Sequence, residues 1–345
     1  MPEKPLEPDP ARSEGSAASA RTPLAVRAGH AGERRKKKEK YIRGLGVGKD
    51  ETAPAGFVFT ALVYAIRFTL MSLGLYRRGM QNARNLRLER RDIFFTNLPA
   101  ALDGFRILHI SDFHFPRRFP KFAAAVGELL RAVEVDLCVV TGDYRYGYFG
   151  ADDHVAEHLK TALAHVKSRH GVYAVLGNHD HFVTGEMIEE AGFSVLYNEG
   201  VLIKTDGGPL WLCGIDEPHY YKCDDLDAAV RGRPDGAFTI LLAHSPERVR
   251  QAAEKGVSLY LAGHTHGGQI RFPIIGALVS NARCPRNQVW GRWRHKDMIG
   301  HTTAGIGATD VPVRYNCPPE AALLTLRRDT TAEQQETPQK AVERD

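Results

Sequence analysis

A chain of 345 residues with 43% hydrophobic content has material for one large domain or two ordinary ones, and is not disordered as a whole. Its five cysteines, Cys138, Cys213, Cys223, Cys284 and Cys317, are odd in number and contain no C-x-x-C pair. That argues against a disulfide framework and a thiolate zinc site, and fits buried or idle thiols in a reducing compartment. The formal charge of +5 is modest for this length, so its placement says more than its sum.

Residues 1–54 are rich in Pro, Ala, Gly, Ser and charge, lack apolar periodicity and contain the run Arg34-Arg35-Lys36-Lys37-Lys38. They read as a disordered, basic-ended arm, either solvated or facing an anionic membrane. Nucleic acid is disfavoured as a partner because the adjoining segment is apolar rather than basic.

Residues 55–78 are expected to form an apolar, membrane-associating helix. The stretch Gly56 to Tyr76 is the most apolar of the chain, with Arg67 near its middle. Ten Leu, Ile, Phe and Val residues there favour insertion by roughly 0.3 to 0.6 kcal/mol each, whereas a central arginine costs roughly 2.5 to 3.5 kcal/mol. A spanning anchor is therefore marginal. On a helix, Thr60, Tyr64 and Arg67 form a narrow polar stripe that suits a helix lying in the membrane interface or docked on protein. Basic residues from Arg34 to Lys40 before it, and Arg77, Arg78, Arg84, Arg87, Arg90 and Arg91 after it, suit an anionic lipid surface. The run starts too far from Met1 for a cleavable signal peptide.

From residue 88 to 328 the pattern changes to short apolar runs separated by polar, helix-like stretches, which is the grammar of an α/β domain. Continuous apolar runs at 105–110, 136–140, 172–176, 239–243 and 259–262 predict buried strands. Helices are expected over 121–133, 154–167 and 246–255. Residues 329–345 read as a disordered tail, and no repeat is visible.

The residues at the carboxyl end of each predicted strand are informative. The first strand ends in Ser111-Asp112-Phe113-His114, the second in Thr141-Gly142-Asp143, and the third in Gly177-Asn178-His179-Asp180. The fourth ends in Ala243-His244-Ser245, and the fifth in Gly263-His264-Thr265-His266-Gly267. Ligands bind at the carboxyl edge of α/β sheets, so these ends would gather Asp112, His114, Asp143, Asn178, His244, His264 and His266 around one hollow. Mixed imidazole and carboxylate donors suit borderline divalent ions. Seven exceed one ordinary site, and a carboxylate shared between two cations is the arrangement that serves phosphoester cleavage. Glycines before Asp143, Asn178 and His264 would let the backbone turn tightly and let phosphate approach.

In order and context these residues resemble the calcineurin-like metallophosphoesterases, whose pattern is D-x-H, G-D, G-N-H-[DE], H and G-H-x-H. The resemblance implies a four-layer α/β/β/α sandwich of two mixed sheets and two divalent ions, Mn first, with Fe, Zn or Mg as alternatives. One ion would take Asp112, His114, Asp143 and His266. The other would take Asp143, Asn178, His244 and His264, with Asp143 as the bridge. It implies in-line attack of activated water on phosphorus, with His179 assisting the leaving oxygen and Asp180 orienting His179.

The sequence Gly142-Asp143-Tyr144-Arg145-Tyr146-Gly147 lacks the G-D-x-x-D-R-G of phosphoprotein phosphatases. A closer similarity is to the bacterial YkuE-like or YaeI-like phosphodiesterases. It is carried by Leu98 to Gly104, Gly171 to Asp180, Gly267-Gly268-Gln269-Ile270-Arg271 and Pro312 to Glu320. One subgroup resembles the pyrophosphatase that splits UDP-2,3-diacylglucosamine in lipid A synthesis. The resemblance thus implies hydrolysis of a phosphodiester or pyrophosphate bond in a lipid- or nucleotide-linked substrate, at the cytoplasmic face of a bacterial inner membrane. A phosphomonoesterase or phosphoprotein phosphatase, and a phosphate-binding module without turnover, are the alternatives.

Residues 272–297, with Arg283, Arg286, Trp290, Arg292 and Trp293, could form a basic, aromatic lid or a surface loop with packed tryptophans. His109 reads as a core residue. His154, His158, His165 and His170 read as structural residues on a solvated helix or its end, and Asp216 and Glu217 as turn residues. His181 and His219 could line the cleft, although their spacing does not require it.

Overall fold

The computed structural model describes residues 21–44, 54–117, 120–148, 150–206, 208–277, 279–309 and 311–329. The continuous apolar runs become short strands buried on both faces, as strands do inside layered α/β folds. The twelve strands of the two main sheets are β1 (Arg87–Phe95), β2 (Arg106–Ile110), β3 (Leu137–Val140), β4 (Val172–Ala174), β5 (Ser194–Val195), β6 (Glu199–Thr205), β7 (Gly208–Gly214), β8 (Phe238–Leu242), β9 (Leu259–Ala262), β10 (Gly291–His295), β11 (Met298–Thr302) and β12 (Glu320–Arg328).

The first sheet has the order β1-β12-β2-β3-β4-β5, parallel from β2 to β5 and antiparallel between β12 and β2. The second runs β10-β11-β9-β8-β7-β6, parallel from β11 to β7 and antiparallel at both edges. Register sets the functional edge. Ile110, Val140 and Ala174 lie level across β2, β3 and β4, and Leu242 lies beside Leu261 across β8 and β9. The five strands expected from sequence are these five, and they divide three to one sheet and two to the other.

The helices are α1 (Leu24–Gly44), α2 (Pro54–Ser72), α3 (Tyr76–Asn82), α4 (Pro120–Leu129), α5 (Val155–Leu163), α6 (Phe182–Glu190), α7 (Leu226–Val230) and α8 (Val249–Glu254). Ile107, Val139 and Leu324 of the first sheet pack against Leu212, Ile240 and Leu261 of the second, forming the central core. The outer face of the first sheet is covered by α4, α5, α6 and the start of α1, through Val126, Leu159, Phe182 and Leu24. The outer face of the second is covered by α7 and α8, through Leu226, Ala229, Val249 and Ala252. This is the four-layer sandwich of two mixed sheets. Each layer interface is closed by large apolar side chains that bring roughly 1.5 to 3 kcal/mol each when fully buried.

The N-terminal region departs from expectation. Residues 23–44 fall within the segment read as a disordered arm, yet they include α1, which is broken at Gly29 (φ 46°) and packed on the first sheet. Its buried stripe is Leu24, Ala28, Gly32, Arg35 and Glu39. The spacing is helical, but two charges and a glycine conceal it from a search for apolar periodicity. Arg27 pairs with Glu189 and Glu199, and Arg35 with Glu39 and Asp216, so part of the basic run faces acidic groups rather than water. The remainder of the expected arm, residues 1–20 and 45–53, and the tail from 330 lie outside the described residues.

Helix α2 covers only the first part of the apolar helix expected over 55–78, which is interrupted at Leu73–Gly74 (Gly74 φ 68°) before α3 begins. On α2, Val63, Ile66 and Leu70 are half-buried while Tyr64, Arg67, Phe68 and Met71 are exposed. Among the described residues, no helix is long and apolar enough to cross a membrane. Helix α3 comes next and is tied to the body, where Gly79 O accepts from Arg314 N (3.0 Å) and the Asn82 side chain donates to Arg314 O (2.9 Å).

His109 is fully buried. Its Nε2 meets Thr141 Oγ1 (3.0 Å) and its Nδ1 meets Nδ1 of His301 (3.2 Å). Burial pushes its pKa down to about 3, so below the ordinary value near 6.5 the unfolded chain takes a proton there that the folded chain refuses. Stability is therefore lost as pH falls through that range. In EDTA, lowering the pH from about 7.5 to 5.5 should cost the wild type about 1.4 kcal/mol more than His109→Gln, measured by urea unfolding. Equal losses would show that His109 is protonated in the folded chain.

Candidate metal centre

Each candidate ligand stands where a parallel strand gives out. Asp112 and His114 come after β2, Asp143 after β3, Asn178 after β4, His244 after β8, and His264 and His266 after β9. All seven are brought together and none is more than 6% exposed.

His114 and His244 each direct one ring nitrogen at a backbone carbonyl, Nδ1 to Arg145 O (3.2 Å) and Nδ1 to Thr141 O (2.7 Å) respectively. A carbonyl only accepts, so those nitrogens carry the hydrogen and the Nε2 lone pairs face the hollow. His244 Nε2 then lies 3.3 Å from Asp143 Oδ2 and 2.9 Å from Asn178 Oδ1. His114 Nε2 lies 3.6 Å from Asp143 Oδ2 and 3.0 Å from His266 Nε2, which is itself 3.4 Å from Asp112 Oδ1. His264 Nδ1 is 3.2 Å from His244 Nε2. Acceptors are thus crowded against acceptors, an arrangement that needs a proton or a cation between them.

Among the groups compact enough to hold an ion are Asp112 with His114 and His266, and Asp143 with His244 and His264, each with donor atoms within 4.8 Å of one another. Asn178 Oδ1 adjoins the second. Asp143 Oδ2 faces both groups, and the donors are those of borderline divalent ions, so the residues fit a pair of such metals.

The electrostatics agree. Burial opposes charge on His244, but Asp143 and Asp112 outweigh it and raise its pKa to about 10. For Asp143, burial is overcome by His244, His179 and His114, and its carboxyl is held well below the usual range. Burial, reinforced by the charge of His244, pushes His264 well down, and burial with His114 and Arg314 does the same to His266. The field that draws a proton onto His244 is one a dication answers more fully.

The backbone is strained to achieve this. Asp112, His114, Asp143, His264 and His266 all have positive φ, from 45° to 68°, a region that costs non-glycine residues of order 1 kcal/mol or more each. Gly142 takes the positive φ (92°) expected of a tight turn, while Gly177 and Gly263 also let the strand ends approach one another. A Cβ on Gly177 would lie 2.1 Å from Asp143 Oδ1, and one on Gly263 would lie 2.4 Å from Asp112 Oδ2.

His179 joins a third group with His114 and Asp143, its Nε2 3.9 Å from Asp143 Oδ2. Asp180 has a different role from the one expected. Its Oδ2 accepts from the backbone N of Asp143 (2.7 Å) and Gly177 (2.8 Å), and its Oδ1 from Tyr144 N (2.9 Å). It therefore ties the second and third motifs together rather than serving the His179 ring. Burial and the charge of Asp143 raise its pKa to about 6, against the pull of those amides.

Several contributors were not visible in the sequence pattern. Tyr148 stacks on the His179 ring (centroids 4.1 Å, planes 23° apart), and its hydroxyl accepts from Asn178 Nδ2 (2.8 Å), which turns the amide oxygen toward the hollow. Of the two histidines that the sequence offered as possible cleft residues, His219 approaches His264 (centroids 4.8 Å) and is held by Glu247. His181 lies back from the hollow with Asp152, which also pairs with Arg145 (2.8 Å). Glu217 is a turn residue as expected, accepting from N of His219, Tyr220 and Tyr221. His158 is buried against Phe115 rather than solvated. Trp293 is packed, donating to Thr302 Oγ1, and Trp290 donates to Glu320, while Arg283, Arg286 and Arg292 are exposed.

Residues 105–268 match the calcineurin-like phosphoesterase family model. The chain is 30% identical over 222 residues to the uncharacterised metallophosphoesterase YkoQ of Bacillus subtilis, spanning 62% of this chain and 80% of that one. The chain belongs to the calcineurin-like metallophosphoesterase family. Two further relatives, each 28% identical, are the uncharacterised metallophosphoesterase YkuE of Bacillus subtilis and the phosphodiesterase YaeI of Escherichia coli. The first match covers 67% of this chain and 82% of YkuE, the second 64% of this chain and 82% of YaeI. This metallophosphoesterase is a hydrolase of phosphoester bonds, and its family segment contains all seven candidate ligands, whereas α1 and α2 lie outside it.

Gly177→Ala tests the close approach. The added methyl must displace the Asp143 carboxylate or its backbone, so bound manganese, measured by equilibrium dialysis, should fall below that of the wild type and activity should drop at least about 10-fold. Far-ultraviolet circular dichroism should be unchanged. Wild-type manganese content in the folded variant would show that the two loops have room to separate.

Proposed function

We propose that this metallophosphoesterase is a two-metal phosphodiesterase or pyrophosphatase that acts on a lipid- or nucleotide-linked phosphate ester at a membrane surface, with UDP-2,3-diacylglucosamine as a candidate substrate. The observation that carries the reading is Asp143, whose Oδ2 faces His114 on one side and His244 on the other, at 3.6 and 3.3 Å. Asp112, His114, Asp143 and His266 would hold one ion, and Asp143, Asn178, His244 and His264 the other, with Mn as the first metal to test. Two bound divalent ions lower the pKa of water and neutralise charge developing on phosphoryl oxygens.

The chain's own residues supply position and a proton. His179 borders the same hollow, held by Tyr148 across its ring face. In this reading it donates to the departing oxygen, or steadies it, as the bond to phosphorus breaks. Its presence favours turnover over mere phosphate binding. The guanidinium of Arg145, the arginine nearest the second motif, is engaged by Asp152 and His181, which is consistent with a site that does not dephosphorylate proteins.

The lipid part of the reading is supported by a cavity of about 430 Å³ beside the centre. Val63, Ile66 and Leu70 of α2 form one wall, and Ile270, Phe272 and Val311 contribute apolar surface elsewhere, while His264 and His266 reach its lining. Its volume falls in the range of small-molecule sites, and its apolar walls suit a hydrocarbon chain attached to the phosphate. Exposed Tyr64, Phe68 and Met71 on α2, with Ile274 and Ile275 at the tip of the hairpin carrying Phe272, suit insertion at a lipid interface.

The purified full-length protein loaded with Mn should cleave an aryl phosphodiester, and Asp143→Asn and His264→Ala should each abolish that activity. Full activity in either variant would exclude the two-metal assignment. His179→Ala should lower kcat by roughly 100-fold or more with little change in KM. Ile66→Glu should raise KM for UDP-2,3-diacylglucosamine at least about 10-fold and leave the aryl diester unaffected. A parallel loss on both substrates would count against the cavity as the lipid site.

A further inference from the structure

The basic run of the N-terminal region contains one residue with an unusual environment. Arg35 of α1 is fully buried, although arginine is almost never so unless paired. Its Nε donates to Glu39 Oε1 (2.9 Å) and one terminal nitrogen to Asp216 Oδ1 (2.5 Å). The other donates to two backbone carbonyls, Gly177 O (3.1 Å) and Asp180 O (2.7 Å). The guanidinium lies over the Tyr221 ring, 3.4 Å from its carbon to the ring centre. Every arm of the planar fork is used, and the two carbonyls belong to the loop that presents Asn178 and His179.

The surroundings show what this contact does. The 177–182 loop receives support on its inner side from Asp143 Oδ1, which accepts from His179 N (2.9 Å), and from Asp180 Oδ2, which accepts from Gly177 N. On its outer side the support comes from α1 alone among the hydrogen bonds described to Gly177 O, Asp180 O and Phe182 N. Arg35 takes the two carbonyls, and Glu39 Oε1 accepts from Phe182 N (2.8 Å). A side chain contributed 142 residues earlier therefore fixes the turn from which one candidate ligand and the candidate proton donor project.

We propose that Arg35 is a positioning residue for the metal centre, holding the Gly177–Asp180 turn so that Asn178 and His179 point into the hollow; the inference rests on the two-metal reading but not on the identity of the leaving group. Lysine is not an equivalent, because a single ammonium cannot satisfy two carbonyls and two carboxylates arranged around a plane. Arg27 supplies the internal control. It also anchors α1 to the body, through Glu189, Glu199 and Val195 O, but among the described residues it makes no hydrogen bond or ion pair to the 177–182 loop.

Full-length wild type, Arg35→Ala, Arg35→Lys and Arg27→Ala would be compared by calorimetric titration with Mn alone, and by kcat and KM on an aryl phosphodiester. Arg35→Ala should weaken one of two Mn sites by roughly 10- to 100-fold, and lower kcat by a similar factor while KM stays within about twofold. Added guanidinium ion, below denaturing concentration, should restore part of both losses. Arg27→Ala should match the wild type in Mn affinity and in kcat. Unchanged Mn affinity in Arg35→Ala, equal losses in Arg27→Ala, or failure of guanidinium to restore either quantity would overturn the proposal. Should the alanine variant not fold, Arg35→Lys decides, with a loss of about 10-fold expected in the same site and wild-type affinity overturning it. A wild type that binds two Mn ions without cleaving the diester would refute the functional reading, while the affinity comparison would still decide the role of Arg35.

Discussion

The structure depends on holding together groups that repel one another. The Nε2 lone pairs of His114 and His244, the carboxylates of Asp112 and Asp143 and the amide oxygen of Asn178 meet in a hollow from which water has been largely removed. Stripping an ion such as a carboxylate of water costs several kcal/mol unless a partner replaces it. Left alone, these side chains would separate or take up protons, and the pull toward protonation at His244 expresses that tendency. A pair of divalent cations would turn the repulsion into attraction, so the chain would carry the cost of assembling the cluster and the metals would return it on binding.

Apolar cores on both sides of the sheets supply the free energy, but they act at a distance and do not by themselves fix loops that leave the strands with positive φ. That task falls to buried charged groups placed behind the loops. Asp180 gathers the amides of Asp143, Tyr144 and Gly177. Arg314 does the converse, donating to the carbonyls of Ala304, Gly305 and Gly307 and so holding a turn whose own amides reach Ser111 O and Asp112 O. Arg35 is the third such group. Carboxylates collect amides and guanidiniums collect carbonyls, and each brace is stronger in the interior than it would be in water because little solvent competes for its partners.

Much of this was legible in the sequence, and the division between what was and what was not has a physical basis. The strands and their terminal ligands were visible because a strand buried on both faces must be continuously apolar, so that a carboxylate or imidazole at its end marks a change of environment within one residue. Asp112 after Ile110-Ser111 and His264 after Ala262-Gly263 are instances. The two-sheet division was not contained in those runs and came with the family resemblance, because pairing partners are chosen by the whole chain. Helix α1 was missed because its buried face is marked by Arg35, Glu39 and Gly32 rather than by leucines, and a charged residue's burial depends on partners far away, here Asp216 and the Gly177–Asp180 turn. Asp180 was assigned to the wrong neighbour for a related reason. Adjacency in sequence suggested the His179 ring, whereas the turn directs the carboxylate backward to the amides of the preceding strand end.

The two elements contributed from outside the family segment divide their work along one physical line. Helix α1 acts through charge and hydrogen bonds on the rear of the Gly177–Asp180 turn, where directional contacts can fix atoms to within tenths of an ångström. Helix α2 presents apolar surface on the front, beside His264 and His266, where contact is non-directional. Chemistry at phosphorus tolerates little misplacement, and so the rigid brace belongs behind the ligands. An apolar wall needs area rather than angles, and so it can be a single helix with apolar residues on its outer side as well. The same strand-end chemistry would serve many phosphate esters. In the proposed reading, what adapts it to one class is the apolar surface placed before it, to which α2 contributes one wall.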